Sequence, residues 1–202
     1  DIFQDVLAYV VLLISLLLFH AFFTYSLFLK FVGRLNPITF FKKMKNVAIF
    51  AFSTSSSAAT IPVTLKTVNH DLGVNQNVAS FVVPVGATIN MDGTAIMQGL
   101  ATVFIAQMSG IDLSLFQYIQ VVLLAVATSI GTAAVPSAGT ITLIIILQQF
   151  NLPLEAIGII LAVDRVLDMI RTSVNVTGDA AIACIVAKSE NQLDENIFNS
   201  KT

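Results

Sequence analysis

Forty-two consecutive residues, 113–154, carry no charge, and two further uncharged runs, 6–29 and 46–65, hold 24 and 20 residues. Inside lipid a backbone must satisfy its own hydrogen bonds, so such runs fold as helices or closed barrels. The run 6–29 exceeds the roughly 20 residues that a helix needs to cross a bilayer. A signal peptide has a shorter apolar core behind a basic leader, so this run reads as a retained transmembrane helix. With 56% apolar residues, 11% charged and a mean hydropathy of +0.87, the whole chain reads as an integral membrane protein. A single cysteine, Cys184, excludes an intramolecular disulfide framework, and a net charge of -2 gives no reason to expect nucleic-acid binding. The chain opens on DIFQDV, without Met or leader, and is expected to be a piece of a larger protein.

Basic residues set an orientation. Lys30, Arg34, Lys42, Lys43, Lys45, Lys66, Lys188 and Lys201 lie outside the apolar segments, whereas the loops 109–114 and 148–155 have none. The positive-inside rule puts the first group, and the C-terminus, in the cytoplasm. Lys45 and Lys66 then lie on one side of the run 46–65, which predicts a re-entrant hairpin broken at STSSSAATIP. The run 113–154, broken at SIGTAAVPSAGT, predicts a second hairpin entering from the opposite face. Between them lies an apolar segment, 81–107, interrupted by GATINMDGT, and after them a charged one, 156–187. The expected fold is an all-α membrane protein with two re-entrant helical hairpins and two interrupted transmembrane helices in an inverted repeat, its sites at the broken helices. The expected divisions are a transmembrane helix at 1–35, the first hairpin and NMDGT helix at 36–107, the second hairpin and charged helix at 108–188, and a cytoplasmic tail at 189–202.

Charge inside apolar segments needs compensation. At about 100° per residue, Asp164, Asp168, Arg171, Asn175 and Asp179 fall within an arc of roughly 80° on one helix face. The stripe reads as a functional site, against the alternative of an ion-pair network that only fixes packing. Arg165 lies off the stripe. Counting Asp92, the expected buried set is four acids against two arginines, a deficit that bound Na⁺ or protonation of the acids would fill. NMDGT, residues 90–94, lacks the carboxylates of an EF-hand. Gly86 and Gly93 instead allow local unwinding that exposes carbonyls beside Asn90 and Asp92, where a plain kink is the alternative. The small residues of SSSAAT and GTAAVPSAGT allow backbone to approach a ligand, or helices to pack closely. His20 reads as a packed or hydrogen-bonded histidine and His70 as a loop residue. Ser137 with His20 lacks the G-x-S-x-G context of a hydrolase, so no enzyme is expected.

SSSAATIPVT, GATINMDGTA, SIGTAAVPSAGT and DRVLDMIRTSVNVTGD, in this order, closely resemble the dicarboxylate/amino acid:cation symporter family, the sodium-coupled glutamate and aspartate transporters. The resemblance runs from about Tyr9 to Lys188 and covers the family's C-terminal half; the N-terminal scaffold helices, which carry the homotrimer interface, are not in this sequence. It implies that Arg171 binds the substrate's side-chain carboxylate and Asp168 its amino group. It implies substrate contacts from Thr94 and Thr172, an α-carboxylate held by Asn175 and Ser57, and a lining from Val135 and Gly139. For Na⁺, the coupling ion, it implies one site at Gly86, Asn90, Asn175 and Asp179, another at Thr88, Met91, Ser129, Ile130 and Thr132, and part of a third at Asn90 and Asp92. Gln98 stands where proton-coupled animal members have a glutamate, which implies sodium coupling without a proton at that place. Related members often carry an arginine in the first hairpin tip or beside the key aspartate; those places are Ser55 and Met169 here. The expectation is a lipid-embedded plasma-membrane symporter, or an inner-membrane one in a bacterium, that carries aspartate or glutamate inward with Na⁺. A C4-dicarboxylate carrier, a proton-coupled symporter, a substrate-gated anion channel and a non-transporting assembly fragment are the rival readings.

Overall fold

The computed structural model describes residues 2–200; Lys201, assigned above to a cytoplasmic tail, lies outside the described residues. Among them the structure is helical, and the only strand-like pairing is one isolated bridge between Val74 and Leu193. Among the described residues, helix α1, Ile2–Val32, is the one helix long and apolar enough to cross a membrane by length and composition. It widens into π-helical turns at His20–Thr24 and Phe28–Val32.

Each break has a local cause. Helix α2, Pro37–Thr54, starts on an Asn36 side chain that accepts from the amides of Ile38 and Thr39, with Pro37 in the first turn where no donor is needed. It stops where Ser55 turns left-handed at φ 51°, and Ser56 then caps α3, Ser57–His70, by accepting from the Ala59 amide. Helix α4, Gln76–Ile89, runs out into non-helical Asn90 and Met91, and α5, Asp92–Met108, begins with Asp92 in the first turn, where its charge suits the helix dipole. Helix α6, Leu115–Ile130, opens on a Ser114/Gln117 capping box. An irregular tip at 131–137 leads into α7, Ala138–Gln149, through Ser137 at φ 59°.

The last long helix corrects an expectation. Helix α8, Ile157–Ser189, is 33 residues of continuous helix, about 50 Å at 1.5 Å per residue, with no interruption. It contains no proline, and nothing in its sequence forces the backbone to open.

Helix α8 is the axis of the fold: α1, α2, α3, α4, α5 and α7 all pack on it. Its first half, with Ile160, Leu167 and Val174, joins a core with α1, α5, α6 and α7. Its second half, with Val176, Ala180 and Cys184, joins a second core with α2, α3, α4 and Phe198 of the short α9, Glu195–Asn199. The polar stripe lies where the two cores meet. Outward, α1 and α6 expose Leu7, Val11, Phe22, Leu115, Phe116 and Leu123, an apolar exterior of the kind helices present to lipid. At one end the buried Lys43 ammonium donates to the carbonyls of Asp71 and Ile197, pinning α9 to the α2–α3 pair.

Candidate substrate and cation site

The five residues of the predicted stripe are buried on one face of α8, with Asp164, Asp168, Arg171, Asn175 and Asp179 between 1% and 4% exposed. Arg165 is exposed, and the Asp92 side chain keeps 39% of its surface, so neither belongs to the buried set. The buried charges of the stripe are therefore three carboxylates against one guanidinium. The deficit of two positive charges expected from the sequence persists, through a different membership.

Arg171 is shared. Its Nη1 donates to Asp164 Oδ1 at 3.2 Å and its Nη2 to Asp168 Oδ1 at 2.6 Å. Seven residues of helix separate Arg171 from Asp164 and three from Asp168, so one side chain reaches both carboxylates along its own face. Asp168 Oδ2 in turn accepts from the Ser137 amide in the α6–α7 tip at 2.9 Å. The two tips touch each other: Ala134 O accepts from the Ala58 amide at 3.2 Å and from Ser56 Oγ at 2.8 Å.

All eight predicted substrate residues line one small cleft: Ser57, Thr94, Val135, Gly139, Asp168, Arg171, Thr172 and Asn175. Ser55, Met91 and Thr132 line it as well. Its volume is about 20 Å³, room for a water molecule and far below an amino acid, so a ligand requires the tips to part or the Arg171–Asp168 pair to open. Gly139 is needed at its place, since a Cβ there would meet Thr94 Cγ2 at 2.8 Å.

The predicted cation residues fall in three groups. In the first, Gly86, Asn90 and Asp179 meet: Asn90 Nδ2 donates to Asp179 Oδ1 at 3.0 Å, and Gly86 lies so close that a Cβ would sit 2.7 Å from the same oxygen. Asn175 Oδ1 accepts from the Gly93 amide at 2.7 Å, and its Nδ2 reaches Thr94 Oγ1 at 3.3 Å. In this arrangement Asn90 turns its nitrogen to Asp179 and the Asn175 oxygen serves the Gly93 amide; the Asp179 carboxylate is a hard ligand of the kind that suits an alkali cation. The second group lies at the touching ends of α4 and α6, but its side chains are occupied locally. Thr88 is exposed and donates to Val85 O, Ser129 donates to Val126 O, Thr132 donates to Thr128 O, and Ile130 is exposed; Met91 is buried.

The third group has partners the sequence reading missed. Asp92 Oδ2 receives His20 Nε2 at 3.0 Å and the Tyr25 hydroxyl at 3.3 Å, both from α1. Five residues apart, these side chains would diverge on an ordinary helix; the π turn His20–Thr24, closed by the Tyr25 amide on His20 O, brings them to one acceptor. A lone histidine in an apolar helix was the available signal. Gln98 is buried and fully engaged, donating to Gly139 O and Thr142 Oγ1 and accepting from Thr128 Oγ1.

With this geometry in hand, the comparisons with known proteins are specific. Residues 1–189 match the model of the sodium:dicarboxylate symporter family. Relatives include an excitatory amino acid transporter of Caenorhabditis elegans, 44% identical over 88% of this chain and 35% of the relative. Human excitatory amino acid transporter 2 is 48% identical over 81% of this chain and 29% of its own length. Mouse excitatory amino acid transporter 3 is 42% identical over all of this chain and 39% of its own length. The chain spans about a third of the length of the curated relatives it matches. By the family match over nearly its whole length, the chain belongs to the sodium:dicarboxylate symporter family.

Proposed function

We propose that this chain forms the substrate-carrying core of a membrane symporter that moves acidic amino acids, aspartate or glutamate, inward with Na⁺ by alternating access. The observation that carries this reading is the convergence of eight residues on one small cleft around a buried Arg171 that is shared between two carboxylates. A planar guanidinium recognises a carboxylate bidentately, and an aspartate beside it suits an ammonium group, so the pair fits a ligand that carries both. The names of the relatives support the same class of substrate.

In this reading Na⁺ is a co-substrate. It neutralises Asp179 with oxygens from Gly86, Asn90 and Asn175, and further ions use the Thr88, Met91, Ser129, Ile130 and Thr132 region and the Asn90–Asp92 region. The pairs α2–α3 and α6–α7 act as re-entrant hairpins of an inverted repeat, each completed by the helices that follow it, with divisions at 1–35, 36–107, 108–188 and 189–202. The α6–α7 tip closes over the substrate by exchanging its hold on Asp168. Coupling follows because substrate closure without Na⁺ leaves carboxylates unpaired at low dielectric, and a ligand shifts a conformational equilibrium only through differential affinity. The protein works as a homotrimer in the plasma membrane with its C-terminus in the cytoplasm.

The test is uptake of labelled aspartate into proteoliposomes holding the protein at its natural full length, with Na⁺ or K⁺ outside. Sodium-dependent uptake competed by glutamate and spared by succinate is the expected result. Uptake indifferent to sodium would replace this mechanism with proton symport, and equal competition by succinate would replace the substrate with a C4-dicarboxylate.

A further inference from the structure

Two buried polar atoms beside the shared arginine have no hydrogen-bond partner among the described residues: the Tyr9 hydroxyl and Asp164 Oδ2. Both residues are closed off from solvent, Tyr9 at 3% and Asp164 at 1% exposed. Tyr9 projects from α1 with its ring packed on Phe104 of α5 at 5.0 Å between centroids, and its phenol lies within electrostatic reach of both Arg171 and Asp164. A dry carboxylate oxygen is a strong acceptor with no donor, and a phenol is a donor whose hydrogen rotates to suit. Each of the two atoms supplies what the other lacks.

We propose that Tyr9 and Asp164 are a positioning pair for Arg171: the two atoms make no direct hydrogen bond, and the Tyr9 O–H donates to Asp164 Oδ2 through one bridging water, which limits Asp164 to single-point contact with the guanidinium. The inference rests on the reading that Arg171 takes the substrate's side-chain carboxylate. Arg171 already holds one oxygen from each of two aspartates. When Asp168 turns to a ligand's ammonium group, Asp164 remains the protein anion on the guanidinium. With both its oxygens free it would take the arginine fork bidentately and compete with the ligand. With Oδ2 engaged by Tyr9, Oδ1 alone holds Nη1 and the rest of the fork stays available. Tyr9 contacts no substrate in this scheme and acts only through Asp164, which tunes affinity for an acidic side chain.

The experiment compares Tyr9→Phe, Asp164→Asn, Arg171→Lys and the double variant Tyr9→Phe/Arg171→Lys at natural full length in proteoliposomes, reading KM and maximal rate for aspartate and the sodium titration. Tyr9→Phe removes one oxygen and keeps the ring on Phe104. It is expected to raise the aspartate KM about tenfold, with the maximal rate and sodium dependence retained. The effect should vanish on Arg171→Lys, because a point-charge ammonium has no fork to orient. Asp164→Asn tests the same pair from the other side, and the tyrosine change should be silent on it. Where Arg171→Lys is impaired, a wild-type KM in Tyr9→Phe, or additive effects in the double variant, would overturn the positioning role alone. A wild-type KM in Arg171→Lys would overturn the substrate reading of Arg171, and this proposal with it.

Discussion

The backbone amide of Ser137 donates to Asp168 Oδ2 at 2.9 Å while the other oxygen of the same carboxylate holds Arg171 Nη2 at 2.6 Å. One aspartate therefore ties the α6–α7 tip to the cation of the central helix. A ligand that takes Asp168 with an ammonium group must compete with both partners, so occupancy and tip position are linked through a single side chain.

Asp168→Asn keeps an acceptor for the Ser137 amide and removes the charge. Loss of a charge-assisted hydrogen bond, worth about 1.5–3 kcal/mol, is expected to weaken aspartate binding at least tenfold and abolish its preference over succinate. Calorimetric titration with both ligands measures this; an unchanged aspartate affinity would remove Asp168 from the amino-group role.

Gly178 tests the sodium reading from a residue that is not itself a proposed ligand. A Cβ there would meet Tyr25 Oη at 2.5 Å and Asn90 Nδ2 at 2.7 Å, displacing the amide that donates to Asp179 Oδ1. Overpacking of about 1–3 kcal/mol in Gly178→Ala is expected to raise the sodium concentration for half-maximal uptake several-fold. Aspartate affinity at saturating sodium should stay near wild type. A sodium titration that does not move would argue against a cation held by Asn90 and Asp179.

Gln98→Glu places a carboxyl against Gly139 O and Thr142 Oγ1, which the amide now serves as donor. An ionised carboxylate cannot donate and is disfavoured by burial, so the variant needs a proton to keep the α7 contact. The contact is then present at low pH and lost as pH rises. Proton movement with uptake, read by a dye inside tight vesicles, is expected in Gln98→Glu and not in the parent; proton flux in the parent would overturn the role given to Gln98.

Lys43→Met removes the cation that holds the ends of α3 and α9. Its ammonium donates to Asp71 O and Ile197 O from a site only 6% exposed. Destabilisation of about 1–3 kcal/mol is expected, confined to residues 190–200 and their neighbours. Faster amide exchange there, with aspartate binding unchanged, is the measurement; uniform exchange across the chain would show that the contact supports the whole fold.

Much of this protein was settled within short stretches of sequence. Uncharged runs force helices, serines at 55 and 56 end one helix and cap the next, Asn90 and Met91 interrupt another, and a 3.6-residue repeat puts Asp164, Asp168, Arg171, Asn175 and Asp179 on one face. Such features depend on sterics and periodicity over a few residues, so they survive any tertiary arrangement. Packing decided the rest. It left α8 unbroken where an interrupted helix was expected, turned Arg165 outward, brought His20 and Tyr25 to Asp92 across about 70 positions, and buried the Tyr9 hydroxyl and Asp164 Oδ2 without partners. Those relationships depend on which helix faces which, and on π turns that change a side chain's direction. No local spacing encodes either, because buried polar groups take their partners from whatever helix the apolar packing delivers.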